Sequence, residues 1–278
     1  MAHTGIAPYL ALALQIPTHP VAGLVDRQLA RVQMAGNIRT IGAVLEASVP
    51  YLAESHGLPV GLVVLPEYVL TGAPGYGTFA QWRYLACLEM NGPEYESLAV
   101  IASRGGFFLA GNAYEADRHF PELYFQCSFV LGPAGDVVLR YRRLISLYSP
   151  SPYDVWDRYL DHYGLAGVYP VADTSIGRIA AVASEEILYP EIARCHVMRG
   201  AEVLVHSTSE MGSPRSTAKE LARQARAAEN LAYVVSANTA GVPGTGLPAR
   251  SSTGMSKILD FDGRILAGAP PGGASIAA

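Results

Sequence analysis

Lysine is almost missing from this chain, with only Lys219 and Lys257 in 278 residues. Charged residues make up 16%, the net charge is −4, and no basic stretch is clustered. That excludes the electrostatic footprint of a nucleic-acid-binding protein. Cysteine is sparse too. Cys87, Cys127 and Cys195 are odd in number and unpatterned, which argues against a disulfide framework and against a zinc site. Such a set fits a reducing cytoplasm. No apolar run reaches the roughly 18 residues of a membrane helix. The start, Met1-Ala2-His3-Thr4-Gly5, lacks the charged region of a signal peptide. No glycine flanks Ser184 in the Gly-x-Ser-x-Gly pattern of serine hydrolases. The Gly-rich stretch Gly72 to Gly77 lacks the Gly-Lys-Ser/Thr ending that would cradle a phosphate. No internal repeat marks a solenoid.

What is present is a hydrophobic half, 50% of residues, arranged as strands and helices in alternation. Short apolar runs without polar interruption read as strands covered on both faces. They lie at 9–16, 60–65, 107–114, 179–183, 202–206 and 232–238. Helical spacing is read over 37–54, 94–103, 191–199 and 216–231. Hairpins are read across Gly132-Pro133-Ala134-Gly135 and across Asp260-Phe261-Asp262-Gly263. The aromatic stretch 146–163, with Tyr148, Tyr153, Trp156, Tyr159 and Tyr163, reads as a long ordered loop that walls a pocket. Without a linker, the chain reads as one α/β domain over 1–278.

Polar residues collect where apolar strands end: Glu67, Ser184 with Glu185 and Glu186, His206, and Asn238. In α/β folds that edge is where ligands bind. The stretch Gly177–Glu191 is the densest case. A buried strand runs to Ser184, two carboxylates follow, and Pro190 and Glu191 suit a helix start. A serine delivered to a strand–helix turn can be a nucleophile, and a carboxylate after Pro66 can be a general base. His206 reads as a satisfied core-edge histidine.

These blocks, in this order, resemble the nitrilase superfamily of carbon–nitrogen hydrolases, closest to its amidase and carbamoylase branches. Leu65-Pro66-Glu67 resembles the family's Pro-Glu block, and Tyr141-Arg142-Arg143 its Tyr-Arg-Lys block. Ser184-Glu185-Glu186-Ile187-Leu188-Tyr189-Pro190-Glu191 resembles the block around its catalytic cysteine. Arg199–Val205, the 225–238 helix and strand, and Asp260–Leu266 follow in register. The resemblance implies a four-layer α-β-β-α sandwich, a homodimer or higher homo-oligomer, no cofactor or metal, and a small-molecule amide, nitrile or carboxylate as ligand.

It also implies a Glu-Lys-Cys triad, altered here to Glu67, Arg143 and Ser184. No lysine precedes Ala218 to replace the missing one, and Cys195 falls inside a helix. Arg143 is expected to pair tightly with Glu67 and hold it ionised. Glu186, Tyr148, Trp156 and Asp154 are the candidate substrate-binding residues, Asp154 standing for the family's second glutamate. Three functions remain open: a hydrolase of non-peptide C–N bonds, a degenerate member that binds a small amide or carboxylate, and a structural subunit.

Overall fold

The computed structural model describes residues 5–74, 77–146, 149–212, 217–246, 248 and 251–278. Tyr148, the start of the chain up to Thr4, part of the Gly-rich loop and the expected helix start at Ser216 lie outside the described residues. In chain order the elements are β1 (Leu10–Gln15), α1 (Arg27–His56), β2 (Val60–Val64), α2 (Phe79–Ala86), β3 (Leu88–Glu89), α3 (Pro93–Gly105), β4 (Phe108–Ala116), β5 (Phe125–Leu131), β6 (Val137–Arg142), α4 (Trp156–Tyr163), β7 (Ala172–Thr174), β8 (Gly177–Ala183), α5 (Pro190–Met198), β9 (Val203–Thr208), α6 (Ala218–Asn230), β10 (Tyr233–Asn238), β11 (Lys257–Leu259), β12 (Ile265–Gly268) and β13 (Ser275–Ala277).

Two sheets result. The first runs β13-β1-β2-β4-β5-β6, with β3 beside β4; the second runs β12-β11-β10-β9-β8-β7. Each has a parallel centre, β1-β2-β4 in one and β8-β9-β10 in the other. Antiparallel strands flank both. Successive side chains of a strand point to opposite faces, and β2 shows what that does here. Leu62 and Val64 enter the core between the sheets, whereas Val63 and Leu65 enter the core under α1 and α3. The two cores make the four-layer α-β-β-α sandwich that the resemblance implies, and they explain why these strands are apolar without alternation.

Three expectations change. The first helix begins at Arg27, ten residues before the periodic stretch at 37–54. Ala30 and Met34 extend the buried face of Ile38, Ile41 and Leu45, and Asp26 caps it by accepting from the amides of Gln28 and Leu29 at 2.5 and 3.3 Å. The aromatic loop is a 3₁₀ turn over Pro152–Val155 followed by α4. Trp156, Tyr159, Leu160 and Tyr163 have helical i, i+3, i+4, i+7 spacing, which the density of aromatic and polar residues disguised. The first strand of the hairpin across 260–263, expected from the sequence over 253–259, forms only at Lys257–Leu259.

Gly111 marks where β4 and β5 approach too closely for a side chain. It pairs with Phe129, and a Cβ there would lie 2.7 Å from the Phe129 ring. That ring is buried and packs edge-on against Tyr95, centroids 5.0 Å apart. Gly111→Ala should therefore cost about 1–3 kcal/mol through overpacking, read as a lower urea midpoint at unchanged slope.

Candidate active site

The strand ends meet where the sheets are laced together. Pro66 stops β2, and Ser207 Oγ donates to the Leu65 carbonyl at 2.8 Å. The Glu67 amide donates to the Thr208 carbonyl of the other sheet at 3.3 Å. Glu67 is thereby delivered, 1% exposed, between the ends of the two sheets. Its Oε1 accepts from Gln126 Nε2 at 2.6 Å and from Arg143 Nη1 at 3.4 Å. Its Oε2 is buried and makes no hydrogen bond of normal geometry among the described residues. Burial raises the Glu67 pKa above the usual carboxylate value, with Arg143 pulling it down and the adjacent Ser184 hydroxyl helping. The expected tight pair of Arg143 with Glu67 does not form: the contact is a single long one, and desolvation outweighs Arg143 in the direction of the Glu67 shift.

Arg143 follows β6, and its guanidinium is spent elsewhere. Nε donates to the Ile145 carbonyl at 2.6 Å, Nη1 to Gln126 Oε1 at 2.8 Å, and Nη2 to Glu185 Oε2 at 2.6 Å. The planar fork has no freedom to turn toward Ser184 without breaking one of these bonds.

Ser184 sits at the end of β8, where the chain turns through Ser184–Leu188 into α5. Its φ is 47°, a left-handed conformation that a non-glycine residue adopts rarely and at a cost. Two contacts hold it. His206 Nε2 lies 2.9 Å from the Ser184 carbonyl, and His206 Nδ1 lies 2.8 Å from Ser236 Oγ. A carbonyl only accepts, so Nε2 carries the proton and Nδ1 accepts from Ser236. Burial, with Arg223 nearby, lowers the His206 pKa well below its usual value; the ring is the neutral, satisfied histidine that the sequence suggests.

The second contact is Glu186. Its carboxylate accepts from Tyr141 Oη at 2.8 Å, the Leu144 amide at 2.8 Å, the Ile145 amide at 3.0 Å and the Ala183 amide at 3.2 Å. Glu186 is fully buried and saturated by the protein, so it braces the turn and has no lone pair left over for a ligand.

One residue of the cluster escapes a search for a lysine before Ala218. Lys219, in the first turn of α6, places Nζ 2.6 Å from Glu185 Oε1, 3.3 Å from Ser184 Oγ and 3.5 Å from Thr208 Oγ1. Glu185 thus bridges Arg143 and Lys219. Burial works to raise its pKa, but the Lys219 ammonium and the Arg143 guanidinium hold it down to about 2. The sequence does carry a signal. A lysine in a first helical turn opposes the helix dipole, and this chain has only one other lysine.

The remaining candidates lie apart from these contacts. Asp154 Oδ2 accepts from the Ser151 amide at 2.7 Å and the Ser151 hydroxyl at 3.2 Å, closing the 3₁₀ turn before α4. Trp156 stacks on Tyr153, centroids 5.1 Å apart. The large cavity beside the site, about 720 Å³, is lined instead by Tyr68, Trp82, Leu85, Ser209, Met211 and Val242, among others. It reaches the cluster through Tyr68, the neighbour of Glu67, and Ser209, the neighbour of Thr208. No group of three or more His, Cys, Asp or Glu among the described residues is placed to hold a metal ion.

The model of the carbon-nitrogen hydrolase family matches residues 28–278. The chain belongs to that family. It is 26% identical over 265 residues to a formamidase of Bacillus cereus (strain Q1), covering 94% of this chain and 70% of that one. It is 25% identical over 243 residues to a probable nitrilase of Schizosaccharomyces pombe, covering 86% and 82%. Its fold matches the crystal structure of Saccharomyces cerevisiae Nit3, a member of branch 10 of the nitrilase superfamily, with a TM-score of 0.73. That match has 17% identity over 96% of this chain and 87% of that one.

The bridge predicts an acid response. The Glu185 pKa is lowered from 4.5 to about 2, so its contribution to stability is complete above the unfolded value and is lost as pH falls from 4.5 toward 2. Glu185→Gln should remove that component. The stability difference between the unaltered protein and the variant, measured by urea unfolding at successive pH values, should shrink over this window.

Proposed function

We propose that this protein hydrolyses the C–N bond of a small amide through an ester on Ser184, with Glu67 as the base. The observation that carries the reading is the free Oε2 of Glu67, a buried and unpartnered acceptor beside the Ser184 hydroxyl. A carboxylate whose pKa is raised by desolvation is a better proton acceptor than an exposed one. The positive φ of Ser184 supports the same reading, because backbone strain of this kind collects at functional turns. Membership of the carbon–nitrogen hydrolase family and similarity to a formamidase favour an amide substrate. The apolar cavity against Tyr68 and Trp82 is placed to hold its acyl group.

The step balances without a cofactor. Ser184 Oγ attacks the carbonyl carbon as its proton passes to Glu67. The tetrahedral intermediate collapses, the C–N bond breaks, and Glu67 returns the proton to the departing nitrogen. Water then gives a proton to Glu67 and attacks the ester. Ser184 recovers its proton as the carboxylic acid leaves.

Intact-mass measurement during incubation with formamide, acetamide, benzamide and N-carbamoyl amino acids tests this. An acyl adduct or product is expected with the unaltered chain, and none with Ser184→Ala or Glu67→Gln. The Gln variant should melt no lower, since the buried site already disfavours the charge. Product from Ser184→Cys with Arg143→Lys, and none from the unaltered chain, would instead favour a degenerate member that binds the amide without turning it over.

The assembly we propose is a homodimer. Met198 on α5 and Leu221 on α6 are 78% and 63% exposed on helices in contact with each other, apolar side chains that a second copy would cover. Sedimentation equilibrium should give twice the chain mass, and Leu221→Glu should halve it. The three unpaired cysteines suit a reducing compartment such as the cytoplasm.

A further inference from the structure

Arg143 stands where the family's lysine is expected, yet all three of its nitrogens are committed, to Ile145, Gln126, Glu67 and Glu185. A cation to support Ser184 Oγ as it loses its proton has to come from elsewhere. We propose that Lys219, carried by α6, is the catalytic cation of this site: its ammonium donates to Ser184 Oγ and stabilises the partial negative charge on that oxygen as its proton passes to Glu67. The inference rests on the reading of Ser184 as the acylated residue.

Three observations converge. An ammonium has three N–H donors and no acceptor, and Lys219 Nζ has three oxygen neighbours, on Glu185, Ser184 and Thr208. In the Ser184 contact the lysine must be the donor. The Ser184 proton is therefore left to point away from Lys219, and the neighbouring acceptor without a partner is Glu67 Oε2. The two partners of Ser184 thus divide the work: Lys219 supports the attacking oxygen as it loses its proton, and Glu67 takes that proton.

The placement is also costly without such a role. Lys219 is 8% exposed and sits at the positive end of a 13-residue helix, against the helix dipole. Glu185 offsets that repulsion and fixes the side chain. The N-cap of α6 is Thr217, whose hydroxyl accepts from the Glu220 amide at 3.2 Å, so the helix start is closed without help from Lys219. Placing a fixed positive charge where negative charge develops is typically the largest single electrostatic contribution to catalysis.

The probe is p-nitrophenyl acetate, an activated ester whose acylation reports the nucleophile without requiring the natural amide. Release of p-nitrophenolate gives the rate, and peptide mass mapping gives the site. The unaltered protein should acquire an acetyl group on Ser184. Lys219→Met should acylate at least about 100-fold more slowly, the scale of losing one charge-stabilising donor, and Lys219→Arg should recover part of the rate. Should Lys219→Met lose its fold by circular dichroism, Lys219→Gln carries the same test, since it can still hydrogen-bond Glu185. With Lys219→Ala, millimolar n-butylammonium should restore rate and n-butanol should not.

Acylation of a folded Lys219→Met at the unaltered rate would overturn the role of Lys219 and leave Ser184 standing as nucleophile. Equal rescue by n-butanol would overturn it too, because filling space would then suffice. An unaltered chain that takes no acetyl group on Ser184 would sink both readings together.

Discussion

The carboxylate of Glu186 is the joint on which the site depends. It accepts from Tyr141, Leu144 and Ile145, at and beyond the end of the first sheet, and from Ala183 at the end of the second. One side chain therefore fixes the distance between Arg143 and Ser184, because each is the immediate chain neighbour of a donor to Glu186. His206 holds the other side of the serine through its carbonyl. Each stranded buried N–H costs about 1–3 kcal/mol, so the turn keeps its left-handed Ser184 only while this acceptor is in place.

Adjacent carboxylates in this turn have opposite fates. Glu185 faces two cations and is held down to about 2. Glu186 is raised by complete burial, in spite of its amide and hydroxyl donors and the nearby Arg143. Glu67 is raised by the same desolvation. The charge balance of the cluster follows from what each carboxylate faces: Glu185 permanently neutralises part of the charge on Arg143 and Lys219, while Glu67 is left the more basic. Such separation of pKa values within one cluster is how a site assigns acid and base roles.

Much of this was legible in the chain. The uninterrupted apolar strands imply burial on both faces, Pro66-Glu67 and Ser184-Glu185 are recognisable as strand ends, and Arg142-Arg143 is recognisable through the family resemblance. What escaped was contact between distant segments. Lys219 lies 35 residues after Ser184 and comes from another helix, so block-by-block comparison passes over it. The net shift of Glu67 depends on burial, which no residue pattern states. The aromatic segment reads as a loop because its density of aromatic and polar residues hides a helical spacing, which the structure shows as α4. The cavity that borders Tyr68, the neighbour of Glu67, is lined by Tyr68, Trp82, Leu85 and Met211, which lie far apart in the chain.

The scarcity of lysine has a practical side. Lys219 is bound to Glu185, and Lys257 is ion-paired with Glu220 while only 3% exposed. The charge that the folded surface shows to solvent as cation is therefore almost entirely guanidinium. Reagents and enzymes that acylate or conjugate side-chain amines find little purchase on the native protein. Labelling of its lysines becomes a measure of how far α6 has come away from the second sheet.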